Sequence, residues 1–325
     1  MTNATYPELK KKMANWEITH LGLRDGAQLR YGVWKPAAPT QGHVLLVPGR
    51  TEFIEKYTEE AGEWAQRGYQ AYCFDLRGQG GSTRQVPQAS HIDSFETYVR
   101  DLHEFWDKVW LPNLDGKPGI VEAHSTGAQI ALRLLASLPP SPAAQALIVT
   151  APMVDMNTSH IPKPLTPAMA GRIINAMGRL RPTSYALGQG PHQRDAFAGN
   201  PHTRDERRHQ EWQDMQDDLV HLTNGGPTWG WVRAAKRARH DLLTALPALK
   251  VPTLVLATPD DRVVDARAQY LIPATRRLDF PGEGHELLRA PDAVRAQLWA
   301  AKDSFISDIR QGGQDFTPKL RAPGP

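Results

Sequence analysis

A serine at position 125, aspartates at 260, 261 and 265, and a histidine at 285 are the side chains whose types and spacing could carry nucleophilic chemistry. Ser125 lies in VEAHSTGAQIAL, where a short apolar run stops abruptly and a helical pattern begins at once. Small residues, Ala123 and Gly127, stand two positions to either side. A strand–serine–helix elbow requires this pattern, because the turn is too tight for larger side chains and holds the serine in a strained conformation. It would lift the hydroxyl out of a sheet and leave the N–H of Thr126 facing an acyl group under attack.

A serine hydroxyl attacks a carbonyl only if a base accepts its proton and a carboxylate holds that base in the right tautomer. Behind the apolar run TLVLA comes TPDDRVVD, and behind TRRLDF comes PGEGHELL. The order serine, acid, histidine, each just after a strand, makes Ser125 the candidate nucleophile, Asp261 the orienting carboxylate and His285 the general base and acid. A developing oxyanion needs a second donor beside Thr126. The loop after HVLLV offers the Arg50 N–H, with Gly49 permitting the backbone twist. Taken singly, each residue has a plain explanation: serines cap helices, aspartates form turns, and the chain has 12 histidines. What favours catalysis is the coincidence of all of them at strand ends.

Elements that could position these residues recur along the chain. Apolar, β-rich runs cover 17–23, 29–34, 43–47, 70–74, 119–122, 146–150, 253–257 and 276–280. The central ones are nearly continuous in apolar character, as strands buried on both faces should be. Helical patterns over 55–67, 95–110, 126–137 and 291–309 separate most of them. This alternation predicts an α/β fold with a mostly parallel eight-stranded sheet and helices on both faces. The first two runs, joined through Asp25-Gly26, read as an antiparallel hairpin at the edge.

The alternation breaks over 155–240, where prolines and long helical patterns appear without a clear strand. That segment predicts an inserted helical cap over a core formed by 15–154 and 241–311, with flexible tails at 1–14 and 312–325. Met169, Ile173, Met177 and Leu180 share one helical face there. Met169 and Met177, with Met153, Trp229 and Trp231, are candidates to line an apolar channel for an acyl chain, or else cap core.

Bulk properties narrow the classes. The 325 residues suffice for a full core, and the net charge of +3 is too small to imply a nucleic-acid partner. The single cysteine, Cys73, excludes an internal disulfide and a cysteine metal cluster, and reads as a small buried hydrophobe. No metal or organic cofactor is expected. No run of about 18 apolar residues exists to span a bilayer, and the first residues have no apolar stretch of the secretory kind. A cytoplasmic location is therefore expected. Arg233, Lys236, Arg237 and Arg239 cluster on a predicted helix, as a solvated face or as a peripheral contact with an anionic membrane surface. The stretch DLRGQGGS lacks the spacing and the lysine of a phosphate loop, and reads as a tight structural turn.

The segments PGRTEFIEKY, YCFDLRGQGGS, HIDSFETYVRDLHEFW, AHSTGAQIAL, TAPMVDM, NGGPTWGWVRAA, PDDRVVD and GHELL resemble the α/β-hydrolases of the lysophospholipase L2 and monoacylglycerol lipase type, grouped with the serine aminopeptidase S33 family. The resemblance runs from about residue 25 to 309 and implies the α/β-hydrolase fold and a serine ester hydrolase with the triad above. It places the oxyanion donors on Arg50 and Thr126 and implies a lysophospholipid or monoacylglycerol as substrate. Three positions depart from the family pattern: Ala123 where glycine is usual, Pro48 where histidine is usual, and Thr126 where methionine is common.

Two rivals follow. An aminopeptidase of the same family would need a cap carboxylate for the substrate ammonium, for which Glu206, Glu211, Asp214, Asp217 and Asp218 are available. A non-catalytic binding scaffold should have lost a triad member, and this chain keeps all three. Epoxide and haloalkane hydrolysis need an aspartate at position 125 and are excluded by the serine.

Overall fold

The computed structural model describes residues 6–38, 40–157, 166–312 and 318. Eight strands form one sheet: β1 (Glu17–Gly22), β2 (Gln28–Trp34), β3 (Gly42–Val47), β4 (Tyr69–Phe74), β5 (Gly119–His124), β6 (Ala146–Thr150), β7 (Thr253–Ala257) and β8 (Arg276–Asp279). Their order is β1-β2-β4-β3-β5-β6-β7-β8, with β1–β2 and β2–β4 antiparallel and the rest parallel. This is the α/β-hydrolase arrangement, and it puts β5 at the centre between β3 and β6. The carboxyl ends of β3, β5, β7 and β8 carry Arg50, Ser125, Asp261 and His285.

The near-continuous apolar runs have a two-sided cause. Successive side chains of a strand point to opposite faces, so Leu45, Val47, Val121, Ala123 and Val149 enter one core. Val44, Leu46, Ile120, Ile148 and Leu254 enter the other. Helices α3 (Phe95–Phe105), α4 (Thr126–Ser137) and α7 (Trp229–Ala245) cover the first face. Helices α2 (Thr58–Gln66) and α8 (Asp292–Gln311) cover the second. Ser94 caps α3 by accepting from the Glu96 N–H at 3.2 Å.

Several expectations are corrected. The predicted N-terminal tail is not loose over its described part: α1 (Tyr6–Met13) buries Leu9 against Phe53, Met215 and Leu222, and Tyr6 donates to Asp218 at 2.8 Å. A two-turn amphipathic stretch is too short to announce itself, and it is stabilised by packing on α6 (Glu206–Asp218) and on the Phe53 and Leu222 side chains. Residues 313–325 of the predicted C-terminal tail lie outside the described residues except for 318, while Gly312 ends α8 in the left-handed conformation (φ 66°). Within 155–240, where no strand was expected, Gly225–Pro227 pairs in parallel with Ala89–Ser90. A three-residue strand of two glycines and a proline has no alternation to read. Helix α7 also crosses the expected boundary at 240, because Trp231, Ala234, Ala235, Ala238 and Leu242 pack into the main core.

The predicted apolar face of α5 (Pro167–Leu180) points outward. Met169 is 47%, Ile173 42% and Leu180 78% exposed. The helix packs instead through Ala170, Gly171 and Gly178. A Cβ at Gly178 would lie 2.6 Å from Arg233 Cδ, 2.7 Å from its Cβ and 3.0 Å from the Trp229 carbonyl oxygen, so this glycine lets α5 lie close on α7, whereas the Lys236 amino group that faces Gly171 could swing aside.

Candidate active site

The turn from β5 to α4 is as tight as the sequence requires. Ser125 has φ 51° and ψ −116°, a strained conformation for a residue with a side chain. Its own backbone is bound on both sides, the N–H donating to the Thr150 carbonyl at 3.1 Å and the carbonyl accepting from the Met153 N–H at 3.0 Å. A Cβ at Gly127 would come within 2.3 Å of the Val47 carbonyl oxygen and 2.4 Å of that of Pro48. Those are backbone atoms of the neighbouring strand end, which cannot swing aside. Gly127→Ala is expected to cost about 3 kcal/mol, read as a lowered midpoint in denaturant titration.

Three side chains from three strand ends meet here. The Ser125 hydroxyl donates to His285 Nε2 at 2.8 Å, and His285 Nδ1–H donates to Asp261 Oδ2 at 2.7 Å. Asp261 Oδ1 accepts from the N–H groups of Val263 (2.8 Å) and Val264 (3.1 Å). Its Oδ2 also accepts from Thr258 Oγ1 and Gln269 Nε2. Burial pushes the Asp261 carboxyl upward, yet His285 and these donors hold it below the ordinary carboxylate range. The other two aspartates of TPDDRVVD face elsewhere: Asp260 accepts from the Gly282 N–H, and Asp265 from those of Arg267 and Ala268.

His124 lies under the elbow, its ring 4.9 Å from that of His285, and donates from Nδ1 to the Thr150 carbonyl at 3.1 Å. Burial, opposed by Glu52, pushes its pKa down to about 4. It is therefore neutral at pH 7 and adds no repulsion when a charge forms on His285.

The N–H groups of Arg50 and Thr126 meet no protein acceptor among the described residues. The loop that presents Arg50 is clamped on both sides by a residue the sequence reading passed over. Gln79 donates to the Gly49 carbonyl at 2.8 Å and accepts from the Thr51 N–H at 2.9 Å. Glu52 accepts from the Gly49 N–H and from Tyr57 Oη and Lys56 Nζ. Gln79 comes from the loop DLRGQGGS, so that turn, read as structural, shapes the oxyanion loop from 28 to 30 residues away. A polar residue between glycines after a buried strand was its only signal.

Of the apolar channel candidates Met153, Met169, Met177, Trp229 and Trp231, only Met153 touches the elbow residues. Met153 is buried, its sulfur accepting from Thr126 Oγ1 at 3.7 Å, and Trp231 is buried against Phe95. Trp229 is half-buried at the start of α7, and Met169 faces out. A cavity of about 500 Å³ between the Arg50 loop and the residue after His285 is polar; its wall includes Arg50, Lys56, His192, His202 and Glu286, none of those five apolar candidates and none of the three triad side chains. The methionine spacing reported helical periodicity, which does not say which way the helix is turned. Among the described residues no group of histidine, cysteine and carboxylate side chains could hold a metal ion, and no helix is long and apolar enough to cross a membrane.

Residues 38–289 match the family described as "Serine aminopeptidase, S33". The chain belongs to that family. Similar proteins are found within and beyond bacteria. Lysophospholipase L2 of Escherichia coli (strain K12) is 33% identical over 279 residues, covering 81% of this chain and 79% of the relative. Monoglyceride lipase of Mus musculus is 22% identical, covering 90% of each chain. A solved structure of a soluble variant of monoglyceride lipase from Saccharomyces cerevisiae, in complex with a substrate analog, shares the fold at a TM-score of 0.72 and 17% identity, covering 90% of this chain and 96% of the other.

Proposed function

We propose that the chain is a carboxylic ester hydrolase acting on lysophospholipids or monoacylglycerols through an acyl-serine intermediate. The observation that carries this reading is the unbroken hydrogen-bonded run from Asp261 through His285 to Ser125. Ser125 Oγ attacks the ester carbon as His285 Nε2 accepts its proton, and Asp261 holds the imidazole and stabilises the imidazolium. The free N–H groups of Thr126 and Arg50 are the donors for the tetrahedral oxyanion. Collapse expels the glycerol-side alcohol, which takes the proton from His285, and water then releases the fatty acid by the same steps in reverse. Similarity to lysophospholipase L2 and monoglyceride lipase supports this substrate class.

An aminopeptidase reading has less support. Asp214 and Asp217 pair with Arg194, Asp218 with Lys10, and Glu211 with Arg207, so these carboxylates are already engaged. Turnover of lysophosphatidylcholine, monoacylglycerol and aryl esters, compared with aminoacyl arylamides, tests the choice. Ester cleavage with no arylamide cleavage is expected; the opposite pattern would move the assignment to peptidase. Absence of any turnover, with no labelling by a fluorophosphonate, would favour a binding scaffold.

The enzyme is proposed to be cytoplasmic and to meet its substrate at an anionic bilayer surface. The outward stripe Met169, Ile173 and Leu180 shares its helix with exposed Arg172 and Arg179, Arg181 follows at the helix end, and α7 carries exposed Lys236 and Arg237. An apolar ridge accompanied by cations suits the headgroup boundary, where each basic residue contributes about 1 kcal/mol. Arg239 belongs less to this surface, since it pairs with Asp155. Ile173→Asp combined with Met169→Asp is expected to reduce co-sedimentation with phosphatidylglycerol vesicles at least tenfold. Equal binding of the variant and the unchanged chain would remove this surface.

A further inference from the structure

The polar cavity at the Arg50 loop holds an arginine that lacks a counter-charge. Three lysine and arginine residues line it, Arg50, Lys56 and Arg289. Lys56 reaches Glu52 at 2.7 Å and Glu286 at 2.9 Å. Arg289 lies 4.0 Å from both Glu211 and Glu286. Arg50 has no carboxylate partner among the described residues; its guanidinium lies 5.4 Å over the Trp231 ring. Burial pushes its pKa below the ordinary arginine value, opposed only by Tyr98 and Glu52, and an arginine stays charged nonetheless. Arg50 is half-buried, and a cation partly withdrawn from water without an anion is costly. Substrate can supply that anion.

We propose that this cavity is a phosphate subsite with the Arg50 guanidinium as its principal ligand, so that the site favours monoacyl esters carrying a phosphodiester over neutral monoacylglycerols. The proposal rests on the serine-esterase reading and names the substrate class within it. Connectivity fits. In a monoacyl glycerophospholipid five bonds separate the acyl carbonyl carbon from the nearest headgroup oxygen, about 6 Å at ordinary bond lengths. An extended arginine spans a comparable distance from its own N–H to its guanidinium. One residue can therefore address the oxyanion with its backbone and the phosphate with its side chain, and the planar fork suits two phosphate oxygens. A further donor is in place, since His192 Nε2 on the same wall is buried without a partner and can donate to a phosphate oxygen. Of the two carboxylates on the wall, Glu286 is engaged by Lys56 and Asp195 is exposed to solvent. A wall of this kind disfavours an acyl chain, which must run elsewhere.

The test is the ratio of kcat/KM for a short-chain lysophosphatidylcholine to that for the monoacylglycerol with the same acyl chain, both below their micellar concentrations. Arg50→Met is expected to lower that ratio by about 10- to 100-fold, the worth of one charge-assisted bidentate contact, and Arg50→Lys to recover part of it. An unchanged ratio, or a parallel loss on both substrates, would overturn the subsite and leave Arg50 as a support of its loop. A measurement on the unchanged enzyme covers the case in which the variants do not fold. Glycerophosphocholine is expected to compete with aryl ester hydrolysis there, and failure to compete would count against the proposal. Inorganic phosphate competing as strongly would assign the cavity to a free anion and overturn the headgroup assignment. If the unchanged chain hydrolyses no ester, the esterase reading has failed, and equilibrium binding of glycerophosphocholine still decides the subsite: binding supports it, and no binding overturns it.

Discussion

Ser125→Ala is expected to lower ester turnover by about six orders of magnitude, the loss seen when the nucleophile of a cooperating triad is removed. What persists comes from the Thr126 and Arg50 N–H groups and from substrate binding, neither of which needs the hydroxyl. The fold should tolerate the change. Ser125 Oγ bonds only to His285, and the elbow is held by backbone bonds to Thr150 and Met153. Alanine bears the same Cβ at φ 51° and adds no strain. Single-turnover kinetics on an aryl ester, beside thermal melting of both proteins, measures the effect. Retention of more than a few per cent of the activity would remove Ser125 from the chemistry.

Asp261→Asn should reduce kcat about 10⁴-fold, because it reverses the tautomer of His285. Oδ1 of Asp261 faces two N–H donors, from Val263 and Val264, so an asparagine must place its amide oxygen there. Its NH2 group then occupies the Oδ2 position, 2.7 Å from His285 Nδ1. A donor at that place requires Nδ1 to accept, which moves the proton to Nε2 and leaves nothing to receive the serine proton. The same NH2 would also face the Gln269 amide that now donates to Oδ2. Asp260→Asn should change kcat only a few-fold, since Asp260 is exposed and its single recorded bond is to the Gly282 N–H. Paired rate measurements on the two variants discriminate. A crippled Asp260→Asn beside an active Asp261→Asn would shift the acid by one residue.

Networks that cross the molecule were invisible in the sequence. Lys302, in a helix of mixed composition, is fully buried between Glu60 and Glu122, with Nζ 2.5 and 2.6 Å from their carboxylates. Glu122 interrupts an otherwise apolar strand three residues before Ser125, and burial, reinforced by Glu60 and opposed by Lys302, pushes its carboxyl up to about 7. Glu60, Glu122 and Lys302 are far apart in the chain, and charged residues are ordinarily read as exposed. The Lys56 network with Glu52 and Glu286 beside the triad was equally hidden.

The sequence by itself determined what depends on local sterics and on pattern. The elbow at Ser125 follows from small residues around a strand end, the buried strands from unbroken apolar runs, and the sheet class from their alternation with helices. The order of the candidate serine, carboxylate and histidine at those strand ends follows too. Tertiary structure alone decided the side-chain directions that fix a site. It turned the methionine face of α5 outward, because the face with Ala170, Gly171 and Gly178 is the one that packs, with Gly178 close against α7. It brought Gln79 onto the Arg50 loop, docked α1 on α6, and made the cavity at that loop polar rather than apolar. Periodicity gives the spacing of side chains around an element but not its rotation, which is set by whatever packs against it from distant parts of the chain.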